Sequence, residues 1–194
     1  MFKLLNILAF LSLFSFWGVS HAQNNKLNFL EVATWSLIQL VPSPAFYQDK
    51  DNSNSRLQFG LKWNFTPVNY SFNANKLITP LQFFKVNPMR RYGGSVELFV
   101  QPEWTTSAYK YSDIERFSIS PGVRSYIPFI EYGEYLSGSF GLKYSVRKDR
   151  QNIFNNTLGV ELGVYTFYGI VGLNFTYNFT NDSKYNFSLN LKYY

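Results

Sequence analysis

The last eleven residues, 184–194, read KYNFSLNLKYY and place a large apolar side chain at every second position. Successive side chains of a β-strand point to opposite faces, so this period of two predicts a strand with one apolar and one polar face. The segments that share the alternation are 56–65, 68–74, 92–104, 115–127, 136–147, 158–164 and 171–179. Most connections between them are short. The sequence therefore predicts an all-β chain of eight antiparallel strands in up-and-down order.

The composition of the two faces indicates which one points outward. A soluble, lipocalin-like barrel hides its apolar face, whereas a membrane barrel exposes it. Charged residues make up 15% of the chain and aromatic residues 20%, but a water-exposed surface carries roughly 25–35% charged residues. The polar face consists mainly of Ser, Gly, Asn and Thr, which suit a narrow interior. We therefore predict a closed eight-stranded transmembrane β-barrel over residues 56–194.

Isolated charged residues lie on the polar face and are predicted to point into the lumen. Five of them form the expected lumen charge network: Lys62, Glu97, Arg124, Lys143 and Glu161. Lumen charges also fit a conduction path, and Glu97 with Glu103 fits a pair of catalytic carboxylates. Because side chains fill the interior of an eight-stranded barrel, we expect ion pairs that plug the lumen instead.

Tyrosine and tryptophan residues near the predicted strand ends are expected to form aromatic girdles. Such girdles lie where the hydrocarbon of a bilayer meets water. The residues assigned to them are Tyr92, Trp104, Tyr126, Tyr132, Tyr135, Tyr165 and Tyr168.

The chain before residue 56 has a different pattern. Residues 1–22 combine a basic start, an apolar run and the small-residue site Ser20-His21-Ala22, which predicts a cleaved signal peptide. Residues 23–55 are predicted to hold an amphipathic helix at 26–41, ended by Pro42, and a polar linker at 48–55. An extended strand at 35–41 is the alternative to the end of that helix.

Two segments outside the regular strands are candidates for contact with a partner or with lipid. The predicted helix carries Trp35, and the long connection 76–91 carries Phe83, Phe84, Arg90 and Arg91. An apolar and basic segment suits a protein partner or an anionic lipid headgroup. Residues 76–91 also fit an irregular continuation of the neighbouring strands.

The closing segment resembles the last strand of bacterial outer-membrane barrels, and the architecture of 56–194 is similar to that of the small OmpA, OmpX and PagP barrels. The resemblance implies a location in the bacterial outer membrane, contact with its lipids, and recognition by the barrel assembly machinery. The residues that would carry this assembly signal are Phe187, Leu189, Leu191, Tyr193 and Tyr194. The apolar stripe ends on Tyr193, so Tyr194 departs from the usual pattern by one position.

The mature chain lacks the side chains that most enzymes of this build use. Cleavage after residue 22 removes His21, the only histidine, and the chain contains no cysteine. The enzymatic barrels that the chain resembles rely on a histidine, so we expect no catalytic residue, cofactor or metal ligand. The modest net charge, +6 before cleavage, does not indicate nucleic-acid binding.

These observations favour a non-enzymatic structural or accessory subunit of an outer-membrane protein assembly. A lipid-binding or lipid-modifying barrel is the alternative. A small pore or a soluble lipocalin-like carrier is the second alternative.

Overall fold

The computed structural model describes residues 33, 37, 40–50, 53–72, 76–78, 94–130, 135–167, 169–179 and 183–191. The part of the chain it describes forms ten β-strands. Their bounds are β1 Ser43–Lys50, β2 Ser55–Lys62, β3 Phe65–Ser71, β4 Lys76–Ile78, β5 Ser95–Thr105, β6 Ile114–Ile130, β7 Leu136–Asp149, β8 Phe154–Thr166, β9 Val171–Asn178 and β10 Tyr185–Leu191.

The strands close into a ring. The hydrogen-bonded order is β2-β1-β10-β9-β8-β7-β6-β5-β3-β4, and a further pairing of β2 with β5 joins the two sides. All pairings are antiparallel. Since β2 and β3 follow one another along β5, they occupy one position in the ring. Each such position is called a stave here, and the ring contains eight staves. The predicted eight-stranded antiparallel barrel is therefore confirmed.

The stave made of β2 and β3 differs from the prediction. Lys62 of β2 pairs with Glu103, and Phe65 of β3 pairs with Val100 of the same strand β5. The register shifts between Phe65 and Val68, where Pro67 cannot donate a ladder hydrogen bond and a bulge accommodates it. Residues 56–65 and 68–74 were predicted as two strands joined by a turn, but the described residues 55–62 and 65–71 form one bent stave.

The eighth stave comes from residues that the sequence analysis had placed outside the barrel. Strand β1 pairs with β2 along its whole length and with β10 at Ala45, Phe46 and Tyr47. The polar linker predicted at 48–55 is wrong, because strand β1 extends to Lys50 and β2 begins at Ser55. The predicted signal peptide 1–22 and nearly all of the predicted helix 26–41 lie outside the described residues.

Polar side chains face the lumen and apolar side chains face outward. Glu97 and Arg124 are both 0% exposed, whereas Leu57 is 64% and Leu162 50% exposed. This is the reverse of a soluble protein, in which burial of apolar surface drives folding. No helix within the described ranges is long and apolar enough to cross a bilayer.

Large aromatic rings also fill the lumen, each lying over a glycine of a neighbouring strand. Tyr165 covers Gly172, where an added Cβ would collide with its ring. Phe99 covers Gly122, and Tyr47 covers Gly60, in the same way. The glycines thus provide the room that these rings need inside a narrow barrel.

Two tyrosines assigned to the aromatic girdles belong to this interior instead. Tyr126 and Tyr165 are buried, and their hydroxyls lie 3.2 Å apart. Both share the inward face with the lumen charges, which corrects their predicted position. Trp104 and Tyr135 are exposed on the outside. The other predicted girdle residues, Tyr92, Tyr132 and Tyr168, lie outside the described residues.

The strand directions define two ends of the barrel. Strand β1 begins and β10 ends at the lower end, where the chain also passes from β3 by way of β4 to β5, from β6 to β7, and from β8 to β9. A hydrogen bond of 3.1 Å from the Phe72 amide to the Gly94 carbonyl ties the base of the first of these. The upper end carries the connections 51–54, 106–113, 150–153 and 179–184.

Candidate functional site: the charged lumen

Arg124 of β6 is the centre of the lower half of the lumen. Its Nη2 atom lies 2.6 Å from Oε1 of Glu161 on β8, and its Nη1 atom lies 3.3 Å from Oε1 of Glu97 on β5. All three side chains are fully buried. Nη1 also donates a hydrogen bond of 2.9 Å to the Tyr126 hydroxyl, and the guanidinium carbon lies 4.4 Å from the centre of the Phe99 ring. These contacts join three separate staves through one cation.

Lys62 approaches the same cluster from the opposite wall. Its Nζ atom lies 3.8 Å from Oε2 of Glu161, so this carboxylate lies between two cations. The amides of Asn69 and Asn174 donate hydrogen bonds of 3.4 and 3.2 Å to Glu97 and Glu161. Such hydrogen bonds compensate for the cost of burying a carboxylate.

Glu103 is the centre of the upper half of the lumen. Its Oε1 atom lies 2.5 Å from Nζ of Lys143, and its Oε2 atom lies 3.5 Å from Nη2 of Arg147. Ser118 donates a hydrogen bond of 3.1 Å to the same carboxylate. Lys62, Arg124, Lys143 and Arg147 thus meet Glu97, Glu103 and Glu161 across the described lumen, so the opposite charges nearly balance.

The upper mouth of the lumen is covered by the connection between β5 and β6, residues 106–113, called here the mouth loop. Tyr109 of this loop is 1% exposed and accepts a hydrogen bond of 2.5 Å from Nη1 of Arg147. Burial raises the pKa of Tyr109, and Arg147 offsets this only in part. The phenol is therefore neutral at physiological pH and closes the mouth as an uncharged group.

Asp49, near the upper end of β1, holds the mouth loop from below. Its carboxylate accepts hydrogen bonds from the backbone amides of Lys110, Tyr111 and Ser112 at 2.8, 3.1 and 2.8 Å. It also forms an ion pair of 2.7 Å with Nε of Arg56. The carboxylate is fully buried although its strand ends at the rim.

A polar cavity of about 40 Å³ remains beside the mouth loop at the upper end. Glu103 and Arg147 border it on the side of the lumen, and Asn178 and Asn186 border it on the side of β9 and β10. A cavity needs roughly 10–15 Å³ to hold one water, so this one has room for about three water molecules.

The structure brings the five predicted lumen residues into one interior but distributes them over two clusters. Glu97 pairs with Arg124, and Glu103 pairs with Lys143. The predicted contact residues Trp35, Phe83, Phe84, Arg90 and Arg91 lie outside the described residues, as do Tyr193 and Tyr194. Phe187 and Leu189 point outward and are exposed, and Leu191 is half-buried.

The sequence did not indicate Asp49, Tyr109 or the contact of Arg147 with Tyr109. Asp49 follows Ser43, Ala45 and Tyr47 at a spacing of two, so the alternation of side chains along β1 indicates that Asp49 points inward. No comparable pattern indicates the position of Tyr109, because the side chains of a loop do not alternate between two faces.

The fold and the arrangement of its side chains define a class: closed eight-stranded antiparallel β-barrels with a polar, ion-paired lumen and an apolar outer wall. No model of a known protein family, no curated protein and no solved structure matches the chain. Within the described ranges, no three His, Cys, Asp or Glu side chains are grouped as a metal site requires.

Proposed function

We propose that the protein is an integral barrel of the bacterial outer membrane and a non-enzymatic structural or accessory subunit of a protein assembly there. The outward apolar wall is the observation that carries this proposal. Phe140, Leu158 and Leu173 are each more than half exposed, and the exposed apolar side chains extend around the ring. An apolar surface of this extent is stable in lipid and a liability in water.

The ion-paired lumen supports an anchoring role over a transport role. Arg124 connects β5 to β8 through its carboxylate partners, and Phe99 and Tyr165 contact the same guanidinium group. A conduction path would need these side chains to move apart and to leave charges uncompensated. The protein therefore acts through its outer wall and its ends.

The same contacts disfavour catalysis. Each lumen carboxylate is engaged by a cation, and the mature chain supplies neither histidine nor cysteine as a base or nucleophile. The partners we propose are outer-membrane lipids, the barrel assembly machinery during biogenesis, and a protein complex in the outer membrane.

Fractionation, a gel mobility assay and a pull-down test this proposal together. We expect the protein in the outer-membrane fraction, with a band that shifts on boiling as compact barrels do. A tagged copy extracted in mild detergent should retain a stoichiometric protein partner. A soluble protein whose band does not shift would contradict the membrane assignment. A membrane-bound monomer that retains lipid would contradict the subunit role and favour the lipid-binding alternative.

A further inference from the structure

Among the described side chains of the barrel, the carboxylate of Asp49 makes the largest number of hydrogen bonds to the mouth loop. Asp49 Oδ1 accepts hydrogen bonds from the Ser112 amide and hydroxyl at 2.8 and 3.0 Å and from the Tyr111 amide at 3.1 Å. Its Oδ2 accepts from the Lys110 amide at 2.8 Å and from Arg56 at 2.7 Å. A carboxylate offers about four lone-pair sites, so these five contacts saturate Asp49. Three consecutive loop amides depend on this one side chain.

The remaining attachments are also polar: the Ser112 hydroxyl bonds the backbone of Lys50 on β1, and the others come from elsewhere in the barrel. Arg56 donates a hydrogen bond of 2.9 Å to the Ala108 carbonyl, and Gln58 donates to the Ser107 carbonyl. Arg150 donates to the Tyr109 carbonyl at 2.5 Å. Most of the loop surface is exposed, and the Tyr109 ring is its main apolar contribution to the interior. The docked position of the loop is therefore held by polar contacts in which an ionised acceptor takes the largest part.

The loop and the polar cavity meet at Arg147, which contacts Tyr109 and lines the cavity, although no residue of the loop itself lines it. Arg147 donates to the Tyr109 hydroxyl through Nη1 and lines the cavity with Glu103. Withdrawal of Tyr109 would remove the cover from Arg147 and open the Glu103–Arg147 side of the cavity from the direction of the loop. The position of the loop thus determines access to the upper cluster of lumen charges.

We propose that the mouth loop is a lid and that Asp49 is its latch. In the closed state, Asp49 holds the amides of residues 110–112 and Tyr109 covers Arg147. Release of the latch exposes the Glu103–Arg147 end of the lumen and leaves the barrel wall intact, because no ladder hydrogen bond of the wall involves the Asp49 side chain. The lid controls access to the upper lumen, which is a role beyond anchoring.

Trypsin provides a direct test, because Lys110 lies inside the lid. With the full-length protein folded in detergent micelles, we expect the bond after Lys110 to resist cleavage. Asp49→Ala should be cut there about tenfold faster or more, since cleavage of a closed segment follows the population of its open state. Adding Lys110→Gln to Asp49→Ala should abolish this cleavage, which identifies the bond after Lys110 as the cleaved bond.

Asp113→Ala is the matched control. Asp113 belongs to the same loop and pairs with Arg150 at 3.4 Å, but both side chains are more than half exposed. The Asp113→Ala protein should therefore be cleaved after Lys110 at the wild-type rate. Equal resistance of Asp49→Ala and the wild type would overturn the latch, and so would equal acceleration by Asp113→Ala.

Chemical labelling tests access to the upper lumen. The chain has no cysteine, so Ser145→Cys introduces a single thiol at the cavity wall. A charged thiol reagent should modify it at least about tenfold faster when Asp49→Ala is added. Asn156→Cys, on the exposed outer face of β8, should react equally in both backgrounds. Unchanged labelling of Ser145→Cys would contradict the lid.

Folding of the variants is checked by the shift of the band on boiling. If Asp49→Ala does not fold, Asp49→Asn, which retains one oxygen acceptor, replaces it. Hydrogen exchange on the wild type tests the proposal without any variant: the amides of Lys110, Tyr111 and Ser112 should be protected. Exchange at the rate of an unstructured peptide would overturn the proposal.

Discussion

Arg124 and Glu161 form a fully buried ion pair across the lumen, with 2.6 Å between Nη2 and Oε1. The two residues belong to β6 and β8, which are separated in the ring by β7. Glu97 and Lys62 extend the pair to β5 and β2. Arg124 therefore couples β6 to β8, two strands that have no ladder hydrogen bonds in common.

Replacing this cation should destabilise the barrel strongly. Arg124→Met leaves Glu97 and Glu161 buried without their shared partner, and breaking a buried pair costs about 3–5 kcal/mol. Urea unfolding in detergent micelles measures the loss. Arg116→Met is the control on the same strand, because Arg116 is exposed and its replacement should change the free energy of unfolding by less than about 0.5 kcal/mol. Equal effects of the two variants would contradict the central position of Arg124.

The glycine beneath Tyr165 should not tolerate a methyl group. A Cβ at position 172 would overlap the Tyr165 ring, so Gly172→Ala should lower the free energy of unfolding by about 1–3 kcal/mol. In a Tyr165→Ala background the same change should cost much less, because the overlap is gone. A double-mutant cycle measures this difference, and additive effects would mean that the ring does not depend on Gly172.

A charge at mid-height on the outer wall should be costly in lipid. Leu162 is half exposed near the middle of β8, and Leu162→Arg should cost about 2–4 kcal/mol in a bilayer. Asn156→Arg, on the same face near the upper strand end, should cost about 0–1 kcal/mol. Unfolding from phospholipid vesicles compares them. If both arginines are tolerated equally, the outer wall does not face hydrocarbon.

The stability of the barrel should fall in alkali partly through Tyr109. Burial raises its pKa above the ordinary value of 10.0, so the folded state holds the phenolic proton more tightly than the unfolded chain does. This contribution is complete below pH 10 and is lost as the pH rises through the folded pKa. Tyr109→Phe should flatten the alkaline decline in urea stability. Tyr135→Phe, at an exposed position, should leave the decline unchanged.

The two aromatic residues at the C-terminus should act during assembly. Deleting Tyr193 and Tyr194 should reduce the amount of folded barrel in the outer membrane of cells, because the resemblance to outer-membrane barrels assigns them to the assembly signal. The same truncated chain should refold in detergent micelles with nearly wild-type stability. A deficit in both experiments would indicate a structural role in β10 rather than a signal.

The alternation of side chains between the two faces of a strand explains why most of the fold and many of the residues that line the lumen could be predicted. Glu161 lies in the run 158–164, which alternates without interruption, and Glu97 and Arg124 lie in longer runs that keep the period of two at most positions, so a single assignment of the polar face located all three. The alternation also places Tyr126 two residues after Arg124, although proximity to a strand end suggested a girdle. For aromatic residues near a strand end, the face of the strand is the better guide.

The errors occur where backbone geometry interrupts the period of two. Pro67 resembles a turn signal, yet it lies in a bulge that lets one stave bend along β5. In β1, Pro44 and the polar residues Gln48–Lys50 conceal the alternation of only eight residues. The latch at Asp49 depends on the conformation of a loop 60 or more positions away, which no local pattern reports.

The pairing of β1 with β10 also determines when the barrel can be completed. The hydrogen bond from the Leu191 amide to the Ser43 hydroxyl joins residues 148 positions apart, and contacts of such separation form late and slowly. The ring cannot close until the last strand has been synthesised. Until then the first strand keeps an unpaired edge that invites aggregation. The first strand must therefore be kept from aggregating until its partner β10, more than 130 positions later in the chain, has been made.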